Sequence, residues 1–227
     1  MCGRYALPVP PEAIRDIFGT VNAVPEREPS WNIAPSQAAL VVRRHPESGA
    51  RHLSALHWGL VPHFNTDAKG GRKPINARGE TVATSPMFRS AFAARRCLVP
   101  ATAFYEWHAE GAGKTPHAIA RVDGGVLAFA GVWEGWRAPD GGVVRSFAIL
   151  TISASADVAG LHDRMPVIVG EADWPCWLGE EVGDVARLVR PAPAGLLEHW
   201  PVSRAVNAPR NDGPKLLERD GLAAGIS

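Results

Sequence analysis

A cysteine directly follows the initiator methionine, and there it could do chemistry that an internal cysteine cannot. If Met1 is removed, Cys2 carries a thiol and an α-amine on one residue. Such a 1,2-aminothiol condenses with an aldehyde through its amine and closes a five-membered thiazolidine through its thiol. An α-amino group titrates at about 7.7–8.0, so part of it is nucleophilic near neutral pH. Position alone leaves open the other interpretation, a small buried residue that leads into a first strand.

Three further segments carry side chains suited to a reaction with such an amine. In RKPINARGET, an extended chain places Asn76 and Arg78 on the same side, where Asn76 can hold an amine or hydroxyl and Arg78 a phosphate. Glu106 lies between aromatic residues in LVPATAFYEWH, where desolvation would raise its pKa towards values useful for proton transfer. His162, in the loop before PVIV, is the natural acid–base group near neutral pH.

Each of these side chains also has an ordinary structural interpretation. Asn76 could satisfy the backbone of a turn. Glu106 could face water, because the alternation of the strand does not say which face is wet. His162 could be a polar surface residue, and its neighbours Asp163 and Arg164 could orient it or pair with one another.

Composition and charge indicate a globular chain whose basic residues are locally concentrated. The 227 residues are 46% hydrophobic and 21% charged, with a net charge of +1, so no overall field indicates a nucleic-acid partner. Residues 41–100, however, hold ten basic residues against three acidic ones, which is a candidate footprint for an anionic partner or else a scatter of solvated charges. The ten are Arg43, Arg44, Arg51, Lys69, Arg72, Lys73, Arg78, Arg89, Arg95 and Arg96.

The cysteine count and the motifs that are missing narrow the function classes. Cys2, Cys97 and Cys176 give an odd number without a CxxC pair, so neither a disulfide framework nor a zinc ribbon is indicated. No signal peptide, membrane span or common nucleotide-binding motif is visible, so we expect a cytoplasmic protein without a cofactor. Four histidines cluster without a metal-ligand spacing, so no metal is expected; they are His45, His52, His57 and His63.

Short apolar runs broken by glycine and proline must position these residues. They predict strands at Gly3–Leu7, Ala39–Arg43, His52–Trp58, Cys97–Pro100, Ala103–Trp107, His117–Arg121, Leu127–Trp133 and Ser146–Ile152. Helices are predicted at Pro11–Phe18, Met87–Arg95, Ala172–Leu178 and Val182–Val189. The pattern indicates a single α+β domain over residues 1–227, with a curved, partly closed, mainly antiparallel β-sheet and peripheral helices. Loops are expected at 68–74 and 138–143, and fraying from about residue 216.

Taken in order, these segments resemble the SRAP (SOS response-associated peptidase) family, whose members shield abasic sites in single-stranded DNA. The resemblance runs over nearly the whole chain, through MCGRYAL, WNIAP, HWGLVPHF, INARGET, RCLVPATAFYEW, FAGVWEGW, FAILTISA, LHDRMPVIV and PVSRAVNAPRNDGP. It implies that Met1 is removed and that Cys2 forms a thiazolidine crosslink with the sugar aldehyde of an abasic site. The protein would then act as a monomer on single-stranded DNA near replication junctions.

The resemblance also implies a role for each candidate residue. Asn76 matches the residue that positions the amine and the sugar, Glu106 the acid–base carboxylate, and His162 the second proton-transfer residue, which is associated with reversal of the crosslink. The positions implied to contact DNA are Arg4, Asn32, Pro35, Trp58, Phe64, Arg78, Ser85, Thr151 and Arg164.

The chain departs from the family pattern at three places, all of which bear on DNA affinity more than on the chemistry. Phe64 stands where a tryptophan is frequent, Pro86 where an arginine is frequent, and Thr102–Ala103 where Asp-Gly is frequent.

Two other functions stay open at this point. One is a cysteine peptidase with Cys2 as nucleophile, in its minimal form limited to removal of Met1. The other is a single-strand binder in which arginines and aromatic residues hold the DNA and Cys2 is buried.

Overall fold

The computed structural model describes residues 2–67, 73–111 and 113–220, and β-strands make up most of them. The twelve strands are β1 (Tyr5–Leu7), β2 (Ser30–Ile33), β3 (Ala38–Arg44), β4 (Arg51–Trp58), β5 (Asn76–Arg78), β6 (Arg96–Ala101), β7 (Ala103–Glu110), β8 (Gly113–Arg121), β9 (Leu127–Arg137), β10 (Val143–Ser153), β11 (Arg164–Pro166) and β12 (Leu197–Pro201). The helices are α1 (Pro11–Phe18), α2 (Arg89–Ala94) and α3 (Trp174–Leu178).

Five strands form a closed ring. Its order is β10, β4, β3, β6 and β9, and β9 pairs back onto β10. The seam is the parallel contact of β4 with β10, where the register pairs only His57 with Ser146 and Trp58 with Phe147. Beyond that seam, β5 takes over as the parallel neighbour of β10 and β11 pairs with the end of β10. Three strands therefore meet around the end of β10, where Asn76 and Arg78 are placed.

The ring encloses the main apolar core, and its narrowest point requires a glycine. Buried side chains of β3, β4, β6, β9 and β10 fill it, together with Tyr5 from β1. The Tyr5 ring lies 5.2 Å from that of Trp58 and 6.1 Å from that of Phe129. A Cβ at Gly131 would come within 2.8 Å of the Cys97 sulfur, so a larger residue cannot stand there without a shift.

A second, antiparallel sheet lies beside the ring, in the order β12, β8, β7, β1 and β2. Its strands alternate between two cores. Phe104 faces the main core, whereas Ala6 and Tyr105 belong to a smaller cluster with Val202 and Val206. Strand β1 therefore belongs to both cores, which makes the N-terminal segment a structural junction.

The helices pack around these sheets. Helix α1 begins with Pro11 and ends at Gly19, whose φ of 63° is the left-handed conformation that glycine tolerates best. The ring of Phe18 stacks on Trp174 of α3 at 4.3 Å, so α1 and α3 support each other. The prediction for α1 is confirmed with the same bounds.

The other helix predictions are corrected by the structure. Helix α2 begins at Arg89 instead of Met87, and α3 begins at Trp174 after a 3₁₀ turn. The α-helix predicted over Val182–Val189 is wrong, because only a 3₁₀ turn forms at Val185–Leu188. Gly183 interrupts that segment, and a Cβ there would lie 2.6 Å from the Cys176 sulfur.

All eight predicted strands are present, most of them longer than predicted. Four strands were not predicted: β2, β5, β11 and β12, each only three to five residues long. The α+β class, with a curved, partly closed, mainly antiparallel sheet, is confirmed. Most of the loop expected at 68–74 and the end of the tail lie outside the described residues. Where the tail is described, Pro214–Leu216 forms a 3₁₀ turn, and the extent of the domain over all 227 residues stays a prediction.

None of the described helices has the length and apolar character needed to cross a membrane.

Candidate active site

Cys2 is fully buried just before β1, and its main chain is held by a side chain of β5. The Asn76 side-chain amide donates a 2.8 Å hydrogen bond from Nδ2 to the Cys2 carbonyl oxygen. The Cys2 sulfur lies 4.0 Å from the Arg4 carbonyl oxygen, which can accept a weak hydrogen bond from the thiol. Asn76 therefore fixes the position of Cys2 through its backbone and leaves the thiol and nitrogen to react.

Glu106 points from β7 into the same buried region, with only 3% of its surface exposed. Neither face of β7 is wet at this point: Phe104 and Glu106 lie on the face towards the main core, and Tyr105 faces the smaller cluster. Burial raises the pKa of the Glu106 carboxyl, and a proton on His162 would oppose that shift. Burial also raises the pKa of the Cys2 thiol, and the negative charge of Glu106 raises it further. Both groups therefore hold their protons to higher pH than in water.

His162 lies beside Glu106, with its Nε2 4.0 Å from Oε2 of the carboxylate. Its other ring nitrogen, Nδ1, lies 2.9 Å from the backbone nitrogen of Arg164 and 2.8 Å from Oδ1 of Asp163. Nδ1 can accept from the Arg164 N–H only when it is unprotonated, and it can donate to Asp163 only when it is protonated. Each protonation state of His162 therefore has a partner ready, as a proton-transfer group requires.

The side chain of Arg164 ties two other elements to this loop. Its guanidinium donates to both carboxylate oxygens of Glu80 and, at 2.7 Å, to the carbonyl oxygen of Thr151. The Glu80 hydrogen bond from Arg164 lowers the pKa of that carboxyl. Of the two alternatives for Asp163 and Arg164, the structure has Asp163 orient His162 and Arg164 pair elsewhere.

A groove of about 570 Å³ opens along β5 towards Asn76. Asn76 and Arg78 both line it, as expected for alternate residues of an extended segment. Its other walls come from the end of β10 and the segment before α2. The lining residues are Lys73, Pro74, Ile75, Asn76, Arg78, Thr81, Ser85, Met87, Phe88 and Thr151. An adjoining cavity of about 290 Å³ shares Lys73 and Ile75 and reaches Ser36 and Trp58.

Some of the residues predicted to contact DNA line the groove or the adjoining cavity, and others do not. Arg78, Ser85 and Thr151 line the groove, and Trp58 lines the adjoining cavity while its indole donates to the Ile75 carbonyl. Phe64 is 54% exposed in the loop after β4.

Two further predicted contacts, Pro35 and Arg164, are not among the residues that line the groove. Pro35 is half-buried beside that adjoining cavity's Ser36, and Arg164 is held by Glu80 as described above. Thr102, one of the departures from the family pattern, donates from its backbone nitrogen to the Ala6 carbonyl at 2.8 Å, so the turn before β7 is intact.

Arg4 and Asn32, also predicted to contact DNA, lie inside the protein. Arg4 Nη1 donates to Asn32 Oδ1 at 2.8 Å and to the Val206 carbonyl at 2.7 Å. Asn32 Nδ2 donates at 2.7 Å to the carbonyl of Asn211. We call Arg4, Asn32 and the segment 204–212 the C-terminal clamp. In this structure the hydrogen bonds of both side chains hold that segment against β1 and β2.

Several groove and site residues were missed by sequence reasoning. Lys73, Thr81 and Phe88 line the groove, and Glu80 anchors Arg164. Lys73 was named only as one of the ten basic residues of segment 41–100; its position beside the INAR segment, like that of Glu80, was a usable signal for a place near Asn76 and Arg78. Thr81 and Phe88 carried none, because the coil before α2 has no periodicity. Within residues 2–67, 73–111 and 113–220, no group of three or more His, Cys, Asp or Glu side chains is arranged to hold a metal ion.

The sequence and the fold are similar to those of known proteins. The sequence profile described as SOS response associated peptidase (SRAP) matches residues 1–209. The chain is 36% identical to the abasic site processing protein YoqW of Bacillus subtilis, over 96% of this chain and 99% of that protein. It is 31% identical to the abasic site processing protein YedK of Escherichia coli, over 96% and 99% of the two chains. A crystal structure from Bacteroides thetaiotaomicron shares the fold with a TM-score of 0.86 at 20% identity, covering 96% of this chain and all of that one.

Proposed function

Because this chain belongs to the SOS response-associated peptidase (SRAP) family, we propose that it senses abasic sites in single-stranded DNA and captures them covalently through Cys2. The relatives named abasic site processing proteins support the substrate. The observation that carries the chemistry is the 2.8 Å contact of Asn76 with the Cys2 carbonyl, close to Glu106, whose charge acts on the Cys2 thiol and whose carboxylate lies 4.0 Å from His162. That contact fixes an N-terminal residue where an acid–base pair can serve its amine.

The reaction begins once Met1 has been removed. The Cys2 amine attacks the aldehyde of the ring-opened abasic sugar, and loss of water from the resulting carbinolamine gives an imine. The thiol then adds across the C=N bond, so that sulfur bonds to the former aldehyde carbon and the thiol proton ends on nitrogen. The product is a thiazolidine, and the only molecule released is water.

The amine acts before the thiol in this sequence. Burial and the charge of Glu106 raise the pKa of the Cys2 thiol, so little thiolate is present at neutral pH. An α-amine with a pKa of about 7.7–8.0 is partly unprotonated there. Ring closure therefore follows imine formation, and it replaces the imine before elimination can break the DNA strand.

Glu106 and His162 move the protons of these steps. Burial raises the pKa of Glu106, which favours the protonated form that can give a proton to the departing hydroxyl of the carbinolamine. His162 lies 4.0 Å away and can return that proton, because Nδ1 has a partner in either protonation state. The same exchange run backwards would open the thiazolidine.

The groove along β5 is the proposed path for the DNA strand. Arg78 and Lys73 would pair with phosphates, and Phe88 offers an aromatic side chain near the bases. Arg4 and Asn32 support the site from behind by holding β1 and β2 in place. The protein would act as a monomer on DNA, with the nucleoid of the cytoplasm as its setting.

A peptidase activity would be limited to the Met1–Cys2 bond. The Cys2 side chain has no exposed surface, so any external substrate, peptide or sugar, reaches its sulfur only after the N-terminal segment has moved. The bond to Met1 ends on the nitrogen of Cys2 itself, so its hydrolysis needs no such access.

The test is a covalent product with an abasic single-stranded oligonucleotide. Wild-type protein with Met1 removed, as verified by intact mass, should give a species that survives a denaturing gel. Its mass should equal that of the protein plus the DNA minus one water, within the measurement error. Cys2→Ala should give none, and Cys176→Ser, which changes a half-buried thiol far from the pocket, should react like wild type. A crosslink that forms equally well with Cys2→Ala would overturn the proposal.

A further inference from the structure

The described basic residues of segment 41–100 include two groups that lie apart in the fold. Lys73 and Arg78 line the groove, whereas Arg43 lies on β3, where its side chain contacts Trp133 and Ser54. Its cross-strand neighbour on β6 is Cys97, whose side chain is fully buried. The proposed function uses the groove and assigns no role to Arg43 and its neighbours.

Arg43 is largely buried, but its guanidinium is incompletely bonded. Only 8% of the residue is exposed, and its Nε donates to Ser54 Oγ at 3.1 Å. The two terminal nitrogens make no hydrogen bond within the described residues, and none of the ion pairs found there involves Arg43. They are not among the fully buried unpartnered atoms, so they keep contact with solvent while the guanidinium carbon stacks 4.8 Å above the ring of Trp133. A cation without a matching anion, held in place and open to solvent at its terminal nitrogens, can receive an anion from outside.

The groups around Arg43 are basic as well. Arg145, exposed near the start of β10, is close enough to lower the pKa of Arg43, although burial is the larger cause. The rings of His45 and His52 stack at 4.4 Å, and the positive charge of Arg43 contributes to the lowered pKa of His52. We call Arg43, His45, His52, Trp133 and Arg145 the Arg43 cluster. No carboxylate appears among the charges that act on Arg43 or His52.

A second basic cavity adjoins this cluster. It measures about 560 Å³ and shares His45 and Trp133 with the cluster. Arg44, Arg95 and Arg96 contribute to its walls, and its lining contains no aspartate or glutamate. Arg95 is paired with Glu134, but Arg44 and Arg96 bond only to backbone carbonyls, which leaves their charge uncompensated.

From these observations we propose that the Arg43 cluster and the adjoining cavity form a second phosphate-binding surface, which takes the backbone of the DNA strand beyond the groove. Several arginines spread over a cavity match a chain of phosphates better than a single small anion. Arg145 and Thr151 are six residues apart on β10, so the two surfaces are separated by roughly 20 Å along that strand. The choice of DNA as the source of the phosphates rests on the proposed function.

The test compares short and long strands of undamaged single-stranded DNA. The rim variant Arg44→Gln/Arg145→Gln removes two exposed charges and leaves the buried Arg43 in place. The matched control, Lys114→Gln/Lys215→Gln, removes two exposed charges from other parts of the surface. Affinity is measured by fluorescence anisotropy over a series of salt concentrations, with oligonucleotides of about 3 and about 25 nucleotides. At about 3.4 Å per nucleotide these span about 10 Å and about 85 Å, on either side of the separation of about 20 Å.

For the long strand, the rim variant should lower the slope of log affinity against log salt by about 1.4, since each single-strand phosphate contact contributes about 0.7. For the short strand its slope should equal that of wild type, and the control should match wild type with both strands. Equal slopes for the rim variant and wild type on the long strand would overturn the proposal. An equal decrease of the salt slope for both strand lengths would also overturn it. So would inorganic phosphate that competes equally well with the short and the long strand.

Failure of this test is distinguishable from failure of the proposed function. The strands used here contain no abasic site, so binding does not depend on the Cys2 reaction. Wild-type protein that crosslinks abasic DNA but shows no length-dependent slope retains the proposed function and loses the second surface.

Discussion

The two sides of strand β1 serve the same N-terminal segment in opposite ways. On one side, Cys2 lies near Glu106 and His162, the two groups that transfer protons in the proposed reaction. On the other side, Arg4 and Asn32 make hydrogen bonds of 2.7 and 2.8 Å to groups that do not titrate near neutral pH. The first side performs chemistry, and the second holds the backbone that presents it.

The two sides of β1 also differ in what burial does to their ionisable groups. Burial raises the pKa of Glu106 and so favours its neutral form, which suits a group that must give a proton. Burial lowers the pKa of Arg4, but a guanidinium stays charged at any relevant pH, so the clamp is the same in acid and in base. Positioning and proton transfer are thus assigned to different residues a few ångströms apart, and substitutions should separate them.

The largest expected effect is that of Glu106→Gln on the rate of crosslinking. Glutamine keeps the shape and hydrogen-bonding capacity of the side chain but cannot transfer a proton, and general acid–base catalysis typically contributes about 10²–10⁴-fold. We expect a loss of that size in the single-turnover rate with abasic DNA, measured on denaturing gels. The apparent affinity for undamaged single-stranded DNA should not change.

Asp163→Asn is the matched control for this prediction, since it also removes a carboxylate near His162. Asp163 is largely exposed, so the rate loss should be clearly smaller. A rate within threefold of wild type for Glu106→Gln would show that Glu106 is not the acid–base group.

The second effect is on stability and belongs to the clamp. Arg4→Met keeps the apolar stem but leaves Asn32 Oδ1 without its donor and the Val206 carbonyl with only the 3.4 Å bond from Asn32 Nδ2. A buried polar group without its partner costs about 1–3 kcal/mol, so we expect the free energy of unfolding to fall by about 2–4 kcal/mol. Urea denaturation measures it, with the exposed Arg15→Met as control. If Arg4→Met also slows crosslinking as much as Glu106→Gln while fully folded, positioning and chemistry are not separate.

The long strands, α1 and the reactive residues could be predicted from the sequence, but the geometry of the two sides of β1 could not. The long strands and α1 follow from regular alternation or from a proline and a glycine at the helix ends. The strands that were missed are short, and three of them carry site residues: Asn32 on β2, Asn76 and Arg78 on β5, and Arg164 on β11. A three-residue strand has too few positions for a period, and its pairing is decided by distant chain segments.

The burial of Arg4 and Asn32 was unpredictable for a related reason. Their partners, Val206 and Asn211, lie more than 170 residues away along the chain, and most of the acceptors are backbone carbonyls, which leave no trace in the residue types. Cys2, Asn76, Glu106 and His162 were found because their chemistry is specific. What each one touches required the fold.

A third, smaller effect is the pH dependence of stability due to Glu106. Because its pKa is raised in the folded state, the folded protein binds the proton more tightly than the unfolded chain does. Its contribution to stability is therefore fully present below the ordinary carboxyl pKa and is lost as pH rises towards the folded pKa. Glu106→Gln lacks this loss, so the stability of the variant relative to wild type should increase between pH 4.5 and pH 8. Urea midpoints at the two pH values measure it, and a relative stability that falls with pH would contradict the raised pKa.

The smallest expected effect is that of Arg78→Gln, and it extends the comparison from β1 to the groove. Arg78 is exposed, its side chain makes no hydrogen bond or ion pair within the described part of the chain, and it lines the groove beside Asn76. Its loss should leave the urea midpoint unchanged and lower the salt slope of single-strand binding by about 0.7, the contribution of one phosphate. The matched control is Lys114→Gln, an exposed charge on the β7–β8 hairpin, which should change neither quantity. Arg4→Met should show the reverse pattern, a lower midpoint with an unchanged slope, because its guanidinium is bonded within the clamp. A slope that falls for Arg4→Met in folded protein would mean that Arg4 also faces the DNA.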